Sequence, residues 1–295
     1  MRASPPVFPR ERRSSKLALV LLTLALAGAG LLAQRRWRNY EGEEIRTARE
    51  LAQNDFPTPE WKNDPEFEKD VFTFARIRYT SESGRGRWSR GGWATDIPDS
   101  DLNLSYRLQQ MTALKVDPNG RVINLTDKEL FNYPWIYIVE PGALAFEEEE
   151  VPILRRYLLN GGFLMVDDFW GEDNWDNFAQ QMSRVFPERE FVELPLTHPL
   201  YHCVFTIDAK YQIPFVRLGM NSQYTGVTWE QSDAREVHHR VLFDDKQRIM
   251  VIACHNTDNG DGWEWEGANE YYFRQFSERA AYPLGINIIF YAMTH

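Results

Sequence analysis

Cysteine is scarce in this chain. Cys203 and Cys254 are the only two in 295 residues, too few for a disulfide scaffold, so the fold must rest on its core. Both sit in strand-like surroundings, VFTI and IMVIAC, and read as two buried thiols rather than a bridge. No internal repeat and no low-complexity tract is visible, which excludes solenoids and arrays. Long apolar runs are missing too, with the single exception of residues 17–33. Positive charge is scarce beyond the N-terminus. Residues 1–39 hold eight Lys or Arg and one acid, while the remainder holds 25 basic and 42 acidic residues, a net of −17 against −10 for the whole chain. Such an acidic body is a poor partner for a phosphate backbone, so no nucleic-acid binding is expected.

The exceptional run, LALVLLTLALAGAGLLA, follows Arg10, Arg12, Arg13 and Lys16. That is the layout of a secretory signal peptide or an uncleaved transmembrane anchor. A spanning helix needs roughly 20 apolar residues, about 17 at the least, so length admits both. The small-residue triplets at 25–27 and 27–29 would suit a signal peptidase, whereas Arg35, Arg36 and Arg38 directly after the run favour an anchor. The expected organisation is a cytoplasmic basic region at 1–16, an anchor or signal at 17–33, a juxtamembrane helix and linker at 34–69, and an α/β domain at 70–295. That domain lies outside the cytoplasm: periplasmic if anchored, exported if the signal is cleaved.

Within the domain, the run GGFLMVDDFW at 161–170 has the strongest pattern. Four bulky apolar residues after a Gly pair read as a strand buried on both faces. It ends on Asp167 and Asp168, and in open α/β sheets ligands gather at such carboxyl ends. Val71–Tyr79 and Trp135–Val139 read as further strands. Helices are expected at Glu41–Asn54, after Asp99 or Ser100 as the cap, at Glu147–Asn160, at Asn174–Phe186 and at Pro283–His295. Phe191–Leu194, Val204–Ile207, Phe215–Leu218 and Val227–Trp229 read as short strands, and Asp244–Gln247 turns a hairpin between Arg240–Phe243 and Arg248–Cys254. The β-α-β-α order predicts a parallel sheet covered by helices.

The tracts FTFARIRYTSESGRGRW, WATDIPDSDLNLSYRLQQMT, GGFLMVDDFWG, HPLYHCVF, HNTDNGDGWEW and YPLGINIIFYAMTH together resemble an exported bacterial domain-of-unknown-function family, numbered 4159. The resemblance implies a three-layer α/β fold, flavodoxin-like in the manner of class I glutamine amidotransferases, with added strands in its second half. It brings no activity. Active amidotransferases of that fold carry a nucleophilic Cys on a Gly-flanked elbow, and here the comparable strand runs into Asp167-Asp168-Phe169-Trp170 with no G-x-C-x-G anywhere.

Asp167, Asp168 and His198 are the candidate catalytic residues, as metal-assisted or general acid/base groups of a hydrolase, with His202 and His255 as further imidazoles. Adjacent strand residues point to opposite faces, so the two aspartates share a ligand only if the chain has already turned. The same geometry separates Cys254 from His255. The oxygen-rich loop 256–264 misses the EF-hand spacing, since Gly260 and Asp261 stand where an acid or amide and then Gly belong, and reads as an Asx-stabilised turn. No metal and no cofactor is therefore expected. Arg85, Arg87, Trp88, Trp170, Asp258, Asp261 and Trp263 are the candidate ligand-binding residues, through guanidinium forks and indole faces. The primary expectation is a non-catalytic binding or envelope-assembly module whose partner is an envelope protein or a glycan.

Overall fold

The computed structural model describes residues 44–67, 70–81 and 92–295. Its strands, in chain order, are β1 (Ala75–Ile77), β2 (Thr80–Ser81), β3 (Arg121–Ile123), β4 (Trp135–Val139), β5 (Leu144–Ala145), β6 (Phe163–Phe169), β7 (Val192–Glu193), β8 (His238–Phe243) and β9 (Ile249–His255). Seven of them form one sheet in the order β3-β1-β4-β6-β9-β8-β7, and β2 pairs with β5 alone. From β3 to β9 every pairing is parallel. The pairings of β8 with β9 and with β7 are antiparallel.

Burial explains why these runs are strands. Every residue of β4, β6 and β9 is buried, as expected of parallel strands with both faces covered. Alternate side chains serve two separate cores. Trp135, Tyr137, Val139, Phe163 and Met165 pack on one face with Leu104 and Leu108 of α1 (Asp99–Met111). Ile136, Ile138, Leu164 and Val166 pack on the other. There they meet Leu154 and Leu158 of α2 (Glu150–Leu159) and Phe178 and Met182 of α3 (Gly171–Val185). Filling each such position contributes about 1.5–3 kcal/mol. The helix α4 (Val216–Thr225) and the short α5 (Asn259–Glu264) lie in the second half of the chain. A final helical run joins α6 (Glu270–Tyr272), a wide-turned π segment (Phe273–Ala281) and α7 (Tyr282–Thr294), and α7 adds Ile286, Ile288 and Ile289 to the first core.

Several sequence expectations need correction. In the described part of the expected helix at Glu41–Asn54, the only helical turn is Ala48–Glu50, closed by a capping box between Thr47 and Glu50. Asp99 is not a cap but the first residue of α1. Its carboxylate instead accepts the Asn54 N–H at 3.2 Å. Phe215–Leu218 begins α4 rather than forming a strand. Val204–Ile207 is irregular, because the Asn287 side chain takes the N–H groups of Val204 (3.2 Å) and Phe205 (2.8 Å) that a ladder would need. Val227–Trp229 is irregular as well. Both cysteines are free; Cys254 is buried as expected, but Cys203 is exposed. No helix among the described residues is long and apolar enough to cross a membrane. The expected anchor at 17–33 lies outside the described residues.

Candidate functional site

The sheet's carboxyl edge holds a concentration of backbone strain. Asp168 (φ 56°), Asp96 (φ 63°), Glu140 (φ 48°) and Asn256 (φ 62°) all adopt the left-handed region there. Among the described residues, Gln247 in the β8–β9 hairpin is the one other non-glycine to do so. Each such residue costs about 1–2 kcal/mol, and strain of this kind collects where function requires a geometry that packing alone would not choose.

At the end of β6 the register shifts between Val166 and Phe169. The chain has turned, and both aspartates come to the segment that follows β9. Asp167 is fully buried and tied to three donors: Asn259 Nδ2 at 2.7 Å, the Gly260 N–H at 3.0 Å and the Tyr137 hydroxyl at 3.1 Å. Burial lifts its carboxyl to about 6, and the three donors hold it from rising further. Asp167 thus fastens the N-terminal turn of α5 to the sheet. Asp168 accepts from Trp170 Nε1 at 3.1 Å and turns towards other carboxylates.

Two overlapping sets of acids result. Ligand atoms of Asp96, Asp168 and Asp258 lie within 4.8 Å of one another, and so do those of Asp96, Asp261 and Glu264. Asp96 reaches this place because Arg76, wholly buried on β1, fixes the loop that carries it. The guanidinium bonds the carbonyls of Trp93 (3.0 Å) and Thr95 (2.9 Å) and pairs with Asp101 of α1. Its charge is therefore committed to Asp101. The Asp96 Oδ2 atom is sealed from solvent and has no hydrogen-bond partner. It lies against Gly260, where any Cβ would collide with it. Asp258 accepts the Asp261 N–H at 2.7 Å, and Asp261 accepts from the Val216 N–H (2.7 Å) and Trp265 Nε1 (3.1 Å). These donors orient the carboxylates, as outer partners do for metal ligands.

Crowding has an electrostatic consequence. Burial, reinforced by the neighbouring acids, holds the carboxyls of Asp96, Asp168 and Asp258 well above the ordinary range. Glu230, whose carboxylate accepts the Phe215 N–H at 2.8 Å, is pushed up to about 8 by burial and then by the charges of Asp261 and Glu140. All these ligands are oxygen, the donor set of hard divalent cations such as Ca²⁺ and Mg²⁺.

The other candidates disperse. His198 packs on Tyr291 and Phe243, and its Nδ1 accepts the Leu200 N–H at 3.2 Å. Phe243 pairs with Ile249, the first residue of β9. That strand runs seven residues to His255 at the carboxyl edge, a span of roughly 20 Å. His198 thus belongs to the opposite end of the sheet from the aspartates. His202 is exposed and bonds the Leu196 carbonyl at 2.8 Å. His255 is at the carboxyl edge, but its Nε2 bonds the Gly171 carbonyl (3.0 Å), its Nδ1 faces Arg240 (3.3 Å), and burial drops its pKa to about 4. Trp263 corrects the ligand-binding expectation: it is fully buried against Tyr137 and Phe74 and belongs to the core. Trp170, Asp258 and Asp261 do gather at the carboxyl edge. Arg85, Arg87 and Trp88 lie outside the described residues.

A family model for a domain of unknown function, DUF4159, matches residues 73–293. The chain belongs to that family. No curated protein matches it. Every carboxylate of the cluster falls inside the DUF4159 match. Sequence reasoning missed Asp96, Glu140 and Glu230, and took Glu264 only as part of the oxygen-rich loop 256–264. A signal for Asp96 and Glu264 was present, since both stand in tracts, WATDIPDSD and HNTDNGDGWEW, that carry the family resemblance. Glu140 and Glu230 had none.

Proposed function

We propose that this DUF4159 domain is a membrane-tethered, extracytoplasmic binding module whose carboxyl edge holds a hard divalent cation, Ca²⁺ or Mg²⁺, through Asp96, Asp168 and Asp258. The observation that carries it is the sealed, unpartnered Asp96 Oδ2 set among carboxylates at ligating distance. A buried polar oxygen without a donor is costly unless a partner meets it. The expectation of no metal considers the histidines and loop 256–264 and leaves Asp96 out. That loop supplies Asp258, the end of β6 supplies Asp168, and the turn before α1 supplies Asp96.

The tether is inferred from the basic-flanked apolar run at 17–33 and from the acidity of the remaining chain. The amidotransferase-like kinship is part of the same proposal. Numbered among themselves, the parallel strands follow the order 2-1-3-4-5, that of flavodoxin-like sheets, which bind ligands where the strand order reverses. Asp96, after β1, and Glu140, after β4, flank that reversal. An envelope protein or glycan presenting oxygen atoms would complete the cation's shell. The alternative of an Asp–His hydrolase is the weaker reading, because His198 is remote and both ring nitrogens of His255 are engaged.

Calorimetric titration of the EDTA-treated full chain in detergent, with CaCl₂ and MgCl₂ in turn, tests the reading. Saturable binding is expected, weakened at least about tenfold in Asp168→Asn and Asp258→Asn, by analogy with the loss on mutating even outer-shell partners. Absence of binding to either cation would overturn it.

A further inference from the structure

We infer that the domain holds a second binding site, for a short-chain carboxylate, in the cavity between β8 and the final helical run. Nothing in this inference depends on the cation. Ile207 and Ile213, from the loop before α4, wall the cavity on one side, and Ala280 and Leu284, from the π segment and α7, wall it on another; all four are buried. His239 of β8 lines the same space and is 1 % exposed. Its Nε2 has no hydrogen-bond partner.

The tautomer decides what that nitrogen requires. The Tyr201 hydroxyl lies 2.7 Å from His239 Nδ1 and, among the described residues, has no other partner. Were Nδ1 the donor, the hydroxyl proton and the Nε2 lone pair would both be stranded in the core. With the hydroxyl donating, a single group is left over, the Nε2 N–H. A buried donor is costly until an acceptor meets it. Burial, with the charges of Lys210 and His238 acting in the same sense, lowers the imidazole to about 3. It therefore meets a ligand as a neutral donor in positive surroundings.

At the rim, the exposed Arg279 supplies a cation. Tyr211 holds it in place: the guanidinium lies 4.7 Å from the ring centre, and Nη2 donates to the hydroxyl at 3.4 Å. That hydroxyl in turn donates to Asp208 at 2.9 Å. Among the described residues, the contacts of Arg279 are thus with Tyr211 rather than with a carboxylate. Arg279 and Ala280 both belong to the π segment, and such widened turns are rare and favour functional sites. An acceptor oxygen for the imidazole, a chain for the aliphatic walls and a negative charge for the guanidinium together describe a small carboxylate. With its opening to solvent, the cavity measures about 250 Å³, below the roughly 300 Å³ at which pockets for drug-sized ligands begin. Its interior admits about one water-sized group, which excludes rings and branched chains.

Calorimetric titration of the EDTA-treated full chain in detergent, with sodium acetate, propionate and butyrate in turn, tests the inference. Saturable binding of at least one of these acids, one per chain, is expected. Butyramide, the uncharged control, should bind at least about tenfold more weakly than butyrate. Arg279→Gln, at an exposed position that the fold does not need, should weaken the acid at least about tenfold. Leu284→Phe, which fills the cavity, should abolish binding. Absence of saturable binding by all three acids would overturn the inference, as would binding that Arg279→Gln leaves unchanged. A crystal structure of the acid-soaked protein with only an ordered water at His239 Nε2 would overturn it too. Metal is absent throughout, so each of these results leaves the cation reading where it stands.

Discussion

Stability of the metal-free protein should fall as pH rises from 6.5 to 8. Burial raises Glu230 from 4.5 to about 8, so between those values the folded state binds a proton that the unfolded state does not. Its stabilisation is complete below the unfolded value and is lost as pH climbs through the folded one. Asp167, raised to about 6, behaves likewise over a lower range. Three histidines, His198, His239 and His255, are lowered by burial and act in the opposite sense. Burial lowers His239 to about 3 and His255 to about 4 from 6.5, so their stabilisation is present above 6.5 and disappears below it. The opposing effects overlap at acid pH; at 6.5 each unfolded imidazole is still half protonated, so from 6.5 to 8 the histidines return only about 0.4 kcal/mol apiece, less than the raised carboxyls remove. Across that interval Glu230 contributes about 1.5 pH units at 1.36 kcal/mol each, or ~2 kcal/mol. A domain of this size shifts by about 2–4 °C per kcal/mol, giving a Tm lower by roughly 4–8 °C at pH 8. Asp96, Asp168 and Asp258 move in the same direction. Differential scanning calorimetry in EDTA across this interval reads the effect. Cation at about a hundred times its Kd should restore about 2.7 kcal/mol, and Glu230→Gln should flatten the apo slope. A Tm that holds level or rises from pH 6.5 to 8 without metal would refute the reasoning.

Gly260→Ala should leave the fold intact, since Ala suits a helical position, yet weaken cation binding about tenfold or more, because the new methyl displaces Asp96 Oδ2; calorimetric titration reads it. Arg76→Met strands Asp101 as an unpaired buried charge and should destabilise the domain by about 3–5 kcal/mol in urea unfolding. Thiol titration with an aromatic disulfide should find one reactive cysteine in the folded chain and a second after denaturation, and a reducing agent should leave Tm unchanged. A single thiol count that does not rise on unfolding would contradict the assigned burial of Cys254.

The central strands were legible because parallel strands buried on both faces leave an unbroken apolar signature: Trp135–Val139 and Phe163–Val166 have no other comfortable place. The hairpin of β8 and β9 was legible through its polar turn. What escaped depended on partners distant in sequence. Phe215–Leu218 is apolar enough for a strand but is helical, with Val216 N–H bonded to Asp261 and the helix closed by Gly226 at φ 71°. Val204 and Phe205 give their N–H groups to Asn287, and no local pattern announces that. At the site, the sequence located the carboxyl end of β6 and the acidic loop after β9. It did not reveal that Asp168 would turn left-handed, that Asp96 would arrive from the loop before α1, or that Glu230 would come from beyond α4. Those placements are tertiary, and adjacent letters encode them only weakly.

The carboxylates of the two sets come from three stretches of chain: one before α1, one at the tip of β6 and one after β9. No excised peptide contains the ligand set, and the loss of any one strand or helix scatters it. The convergence of these carboxylates is therefore a report on the integrity of the whole sheet. Partial opening at either end would disperse the carboxylates before the core is lost, and the cluster forms only once the last strand has docked.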